Sequence, residues 1–200
     1  MLKAIIFDMD GVLIDSFGGW YVVFNKTLEH FNNRTITKKE FDEKVWAKNF
    51  NETVKEYFSV PIKDILDYYD KIKEDFDKNI STFDDVEKTL TELKKMGFIL
   101  TVATNSHKTF AKKTLKNTNL IEYFNLILCG DDVKNGKPEP DLLFKTLDEL
   151  KLNREDVVFI GDSIWDKIAA ERAEIEFIGL GIDAKTRIEK LNQILNVIKN

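Results

Sequence analysis

Cysteine is nearly absent from this 200-residue chain: Cys129 is the only one. A single thiol closes no intrachain disulfide and builds no cysteine-based zinc or iron–sulfur site. Histidine is almost as scarce, with His30 and His107 alone, so a site of nitrogen and sulfur ligands has little to draw on. Positive charge is not in excess either. With a net charge of −5 and a pI near 5.3, a nucleic-acid partner would bind against the overall sign, and none is expected. Apolar runs of bilayer-spanning length are lacking, so no membrane partner is expected. The first residues lead into a strand without a signal-peptide pattern, which makes the cytosol (cytoplasmic) the expected location. Low-complexity segments and internal repeats are missing too.

What remains is a globular composition, 43% hydrophobic and 32% charged, in a chain long enough to bury a sizeable core. The apolar run Ala4, Ile5, Ile6, Phe7 has the length of a buried strand and stops at Asp8. Asp10 follows two residues later, and then Gly11. Residues two apart on an extended backbone point the same way, and two crowded carboxylates repel unless a cation or a shared proton relieves them. Taken alone, the stretch equally fits a strand followed by a solvated Asp-Gly turn.

From residue 15 the apolar period becomes helical. Trp20, Val23, Phe24, Thr27, Leu28 and Phe31 make one face, whose Trp20, Phe24 and Phe31 stripe reads as packing. Thr37 with Glu40 predicts a capping box, Asn51 a cap for a third helix, and Ile62 through Phe76 a fourth. No strand is predicted over 15–78. After Asn79, helices and strands alternate: strands over 98–103, 124–129, 157–161 and 175–180, helices over 107–116 and 164–172, and a closing helix from Ala184. Asp84 or Asp85 is expected to cap the helix that Gly97 stops, and Pro140-Asp141 to start another. This predicts an α/β fold, a Rossmann-like parallel sheet with helices on both faces. Residues 1–14 and 80–200 would form that core, and 15–79 an inserted α-helical domain.

Ligands of open parallel sheets bind beyond the carboxyl ends of the strands. Those ends carry Asp8 and Asp10, then Thr104-Asn105-Ser106, then Asp131-Asp132 with Lys137 further on, then Asp162, Ser163 and Asp166. Carboxylates with one lysine and one hydroxyl suit an oxygen-loving cation such as Mg²⁺ beside a phosphate.

The chain thereby resembles the haloacid dehalogenase superfamily, in particular its phosphatases with a helical cap inserted after the first strand, the type that includes phosphoglycolate phosphatases and β-phosphoglucomutases. Asp8-Met-Asp10-Gly11-Val12, Thr104-Asn105, Lys137-Pro138 and Gly161-Asp162-Ser163-Ile164-Trp165-Asp166 match the four motifs in order. The resemblance implies Asp8 as nucleophile, Asp10 as general acid and base, and Mg²⁺ on Asp8, the Asp10 carbonyl and Asp162, with Asp166 direct or behind them. It implies phosphate contacts from Thr104, Lys137 and donors near Asn105 and Gly11. Lys48 and Asn49 in the cap would face the leaving group of a small phosphorylated metabolite. Cap hinges are expected at 15–19 and 78–82, eased by Gly18-Gly19.

Asp10 argues for phosphoryl transfer over carbon–halogen or phosphonate cleavage, whose enzymes lack that carboxylate. A phosphosugar mutase is the alternative, but such mutases carry a histidine early in the first cap helix, where this chain has Trp20. A catalytically quiet binding protein is the reading from another class. Glu174 departs from the glycine the family usually places after the fourth-motif helix. Outside the motifs, Cys129 reads as a strand-core thiol, His30 as a polar helix residue and His107 as a solvated first-turn residue.

Overall fold

The run at the N-terminus forms β1 (Ala4–Phe7), with every residue buried. A tight turn follows in the computed structural model, which describes residues 2–198. The N–H groups of Leu13 and Ile14 both donate to the Met9 carbonyl at 3.0 Å, and the chain enters the short strand β2 (Ile14–Asp15). Five helices come next: α1 (Phe17–Asn32), α2 (Lys38–Lys44), α3 (Phe50–Tyr57), α4 (Ile62–Lys71) and α5 (Lys73–Asp77). Strand β3 (Ser81–Thr82) then pairs antiparallel with β2, so the two chain crossings into the helical block are hydrogen-bonded to each other.

Local signals inside this block were partly displaced. Thr37 does cap α2, its hydroxyl accepting the Glu40 N–H at 3.1 Å. The third helix is capped by Asn49, two residues before the predicted Asn51, because the Asn49 side chain reaches the N–H groups of Asn51 and Glu52. The predicted fourth helix breaks at Ile72, whose backbone leaves helical geometry at φ −107° and ψ 15°. Gly18 and Gly19 lie inside α1. A Cβ on Gly19 would sit 2.6 Å from the Ile80 side chain and 3.0 Å from the Phe76 ring, so this glycine serves close packing.

Beyond β3 the alternation holds: α6 (Val86–Lys95), β4 (Ile99–Ala103), α7 (Lys108–Asn117), β5 (Leu126–Leu128), α8 (Asp141–Leu150), β6 (Val157–Gly161), α9 (Ile164–Ala173) and β7 (Glu176–Leu180). The predicted closing helix is replaced by β8 (Thr186–Ile188) and only a short α10 (Ile194–Val197). Pairing decides this: β8 adds parallel to the open side of β7, and Ile188 and Leu191 are buried ahead of α10, outside any α-helix. The sheet runs β5-β4-β1-β6-β7-β8 with every pairing parallel. It is an α/β, Rossmann-like fold. Met1, Lys199 and Asn200, which the expected core boundaries include, lie outside the described residues.

Period-two alternation sorts β1 between two cores. Ile5 and Phe7 join Val102, Ile160, Leu90 and Leu115 on one face. Ala4 and Ile6 join Phe159, Leu142 and Ala169 on the other. A third core draws its buried side chains from the helical block alone, Phe24, Phe41, Tyr57, Ile65 and Phe76 among them. Glu174 adopts the left-handed conformation (φ 54°) at the end of α9, a geometry that costs a non-glycine residue about 1 kcal/mol, and its carboxylate pairs with Arg154.

Candidate active site

The carboxyl end of β1 delivers Asp8 to the middle of the sheet, since β1 lies between β4 and β6. Lys137, in the loop after β5, reaches across to it: Nζ donates to Asp8 Oδ1 at 2.7 Å and to Asp166 Oδ1 at 2.6 Å. All three side chains are buried. Asp166 is locked further by a reciprocal cap with Ser163, whose N–H it accepts at 3.1 Å. Asp8, Asp162 and Asp166 each bring a carboxylate oxygen within 4.8 Å of the others. Gly11 (φ +84°) is what lets Asp162 approach, for a Cβ there would lie 1.9 Å from Asp162 Oδ2.

One ammonium facing three carboxylates leaves negative charge in excess. Burial pushes the Asp8 carboxyl up to about 7; Lys137 pulls it down, and Asp166 and Asp10 add to the rise. Burial likewise lifts Asp162 to about 8, reinforced by Asp8 and Asp166 against Lys137. On Lys137 burial opposes the charge, but Asp166 and Asp8 outweigh it and hold the ammonium protonated. A buried, all-oxygen donor set short of positive charge fits a hard divalent cation.

The sign of the linkage gives a prediction. A carboxyl whose folded pKa is raised binds its proton in the folded state while the unfolded chain has lost it, so stability falls as pH rises from about 4 towards 7 and 8. A divalent cation competes with those protons. The rise in melting temperature on adding Mg²⁺ is therefore expected to be larger at pH 8 than at pH 5.5, in differential scanning fluorimetry. An equal or smaller rise at pH 8 would contradict the cluster's role as a cation site.

Asp10 does not join this cluster among the described residues. The turn swings it toward the helical block, where Oδ1 accepts from Ser16 Oγ and from Trp20 Nε1 at 2.9 Å. Its Oδ2 accepts from Ser106 Oγ at 2.7 Å, and Thr104 Oγ1 lies 3.5 Å away. Trp20, expected to be packing only, is thus a donor to the predicted acid. Ser16 and Ser106 had no assigned role from the sequence, although Ser106 stood at a predicted strand end.

The Gly11 N–H and the side chains of Asn105 and Asn49, all expected near the substrate, have partners within the protein. The Gly11 N–H donates to the Ile14 carbonyl at 2.8 Å. The Asn105 side chain donates to the carbonyls of Ala47 and Lys137 and accepts the Lys137 N–H, which ties the helical block to the lysine loop. Asn49 is buried and occupied as a helix cap. Lys48 faces the site but pairs with Glu56 at 3.3 Å. Thr104 stays at the carboxyl end of β4, buried beneath the Asp10 carboxylate.

Off the centre, Cys129 is buried, with its thiol pushed up to about 12 by burial and then by Asp132 and Asp131, so it is a protonated packing residue. His107 is not solvated as expected: as the N-cap of α7 it sits 3.4 Å from Asp131 and against the Phe50 ring.

Above Asp8 and Asp10 opens a cavity with about 610 Å³ of empty space, its mouth included. Thr104, Ser106, Lys137 and Ser163 share its floor, and residues of α1 to α4 form its roof, Trp20 and Phe24 included. No helix among the described residues is long and apolar enough to cross a membrane.

Fold and centre together define a parallel-sheet α/β enzyme with charged chemistry at its strand ends. The family model for haloacid dehalogenase-like hydrolases matches residues 5–180. A phosphoglycolate phosphatase of Photorhabdus laumondii is 31% identical over 189 residues, covering 90% of this chain and 80% of that protein. A phosphorylated carbohydrates phosphatase of Thermotoga maritima is 29% identical and covers 99% of both chains. The crystal structure of CbbY from Rhodobacter sphaeroides in complex with phosphate superposes with a TM-score of 0.84 at 23% identity, over 97% of this chain and 96% of that one, a likeness of fold. The chain belongs to the haloacid dehalogenase-like hydrolase family and is a hydrolase of phosphate esters.

Proposed function

We propose that this protein is a Mg²⁺-dependent phosphatase of the cytosol that hydrolyses a small phosphorylated metabolite through an aspartyl-phosphate on Asp8. The observation that carries the reading is the Asp8 carboxylate, held by Lys137 beside Asp162 and Asp166 on the floor of a cavity.

Asp8 attacks phosphorus in line, and the bond to the leaving oxygen breaks. Asp10 gives that oxygen its proton and then takes one from the water that attacks the aspartyl-phosphate, returning Asp8 as carboxylate. Ser16, Trp20 and Ser106 set the direction in which Asp10 points. The Lys137 ammonium and the Thr104 hydroxyl lie where phosphoryl oxygens would gather charge. Asp8, Asp162 and Asp166 would hold Mg²⁺, with the Asp10 carbonyl. When bound, the ion offsets the repulsion between substrate and carboxylates. Residues 15–79 act as a cap over a core formed by 1–14 and 80–200, with the paired crossings β2 and β3 as the place where it pivots. Lys48, in the roof loop, would be the cap residue nearest the leaving group, with Asn49 behind it holding the start of α3.

Metal removal tests this reading. With p-nitrophenyl phosphate as substrate, EDTA is expected to lower the rate by roughly 10²-fold or more, and excess Mg²⁺ to restore it. An undiminished rate in EDTA would overturn the Mg²⁺ dependence.

A further inference from the structure

The roof of the cavity is built of rings. Trp20, Phe24, Phe41, Trp46, Phe50 and Tyr69 all line it. They brace one another: Phe50 and Tyr69 lie edge-on with ring centroids 6.0 Å apart at 66°, and Phe41 lies tilted 5.6 Å from Phe24 and 6.3 Å from Trp46. The polar atoms of two of these rings already have partners. Trp20 Nε1 donates to Asp10, and the Tyr69 hydroxyl faces the Thr27 side chain. What they present to a ligand is apolar ring surface.

Charge on this wall is sparse. The helical block contributes one cation to the lining, Lys48, and it pairs with Glu56 at 3.3 Å. The other lining cation, Lys137, is engaged by Asp8 and Asp166. A substrate with a second anionic group on its alcohol part, a carboxylate or another phosphate, would press that charge against rings where each lining cation already has a carboxylate partner. Burying an unpaired charge is costly, whereas burying a ring removes apolar surface from water at about 25 cal/mol per Å².

We infer that the alcohol part of the substrate is an uncharged, largely apolar group, and that a flat aromatic ring matches the roof best. This inference rests on the phosphatase reading above and narrows its substrate class. The phosphoryl end meets Asp8 and Lys137, and the ring stacks beneath α1 and α3.

The test compares kcat/KM for benzyl phosphate and phosphoglycolate, both esters of primary alcohols, with Mg²⁺ present. Benzyl phosphate is expected to be favoured by at least about tenfold, the size of effect that burying one ring supplies. A smaller preference, or one for phosphoglycolate, overturns the inference. Trp46→Leu and Phe50→Leu are measured as the same ratio within each variant, so that any loss of folded protein cancels. The ratio is expected to fall about fivefold in at least one of them, and an unchanged ratio in both overturns the role of the rings. Turnover of p-nitrophenyl phosphate by wild type and Asp8→Asn separates the two levels. If that turnover depends on Asp8 while the benzyl preference is missing, only the inference fails. If wild type and variant are alike, the phosphatase reading fails and the inference falls with it.

Discussion

Asp8→Asn is expected to lower kcat for p-nitrophenyl phosphate by at least about 10³-fold, the scale of losing a covalent nucleophile. The substitution is nearly isosteric and replaces the nucleophilic carboxylate by a weakly nucleophilic amide. It should leave the fold intact, because Lys137 keeps Asp166 at 2.6 Å and the site loses one of its crowded carboxylates. Without metal at pH 8 the variant is expected to melt no lower than wild type, since a group held at about 7 by burial no longer has to ionise. Rate and stability thus move independently, which an unfolded variant could not imitate. Beryllofluoride should form an adduct with wild type and none with Asp8→Asn. Rates within about tenfold of each other would remove Asp8 from the mechanism.

Much of this centre was legible because each member closes a hydrophobic strand. Asp8, Thr104 and Asp162 follow β1, β4 and β6 directly, and a buried parallel strand is the easiest element to see in a sequence. Lys137 was legible only through its motif, for nothing in the connection between β5 and α8 announces that its amine will end up buried between two carboxylates. The partners of Asp10 were not legible. Ser16 and Trp20 are near it in sequence but belong to a helix whose periodicity records only that a face is covered. Ser106 is 96 residues away.

The same blindness explains the roof. Apolar spacing marks Trp20 and Phe24 as turned inward, and it cannot tell a filled interior from a cavity that a ligand must fill. That difference arises only when α1, α3 and α4 are set above the sheet. The tail shows the converse: Ile188, Leu191 and Leu195 keep helical spacing, yet β8 forms because the open side of β7 offers backbone pairing that an isolated amphipathic helix lacks.

Lys137→Met separates the structural and chemical duties of the lysine. Its Nζ lies between Asp8 and Asp166 and 5.4 Å from the Phe159 ring centre, with no water-exposed alternative. Methionine fills the volume and supplies no charge, so Asp8, Asp162 and Asp166 face one another uncompensated. Removing one partner of a buried ion pair costs about 3–5 kcal/mol, and that loss is expected in urea unfolding at pH 8 without metal. The sign with pH follows from the carboxyls. Lacking Lys137, Asp8 and Asp162 bind protons more tightly still in the folded state, so the deficit shrinks as pH falls and those two carboxyls become neutral, and it grows as pH rises. Adding Asp166→Asn to Lys137→Met deletes one of the repelling charges and should recover part of the stability at pH 8. It should recover none of the activity, which is expected to stay lower by about 10²- to 10³-fold, because no ammonium then faces the charge that spreads over the phosphoryl oxygens. If the double variant regains turnover along with stability, Lys137 is a structural counter-ion only. If the single variant is as stable at pH 8 as wild type, the three carboxylates do not share one buried site.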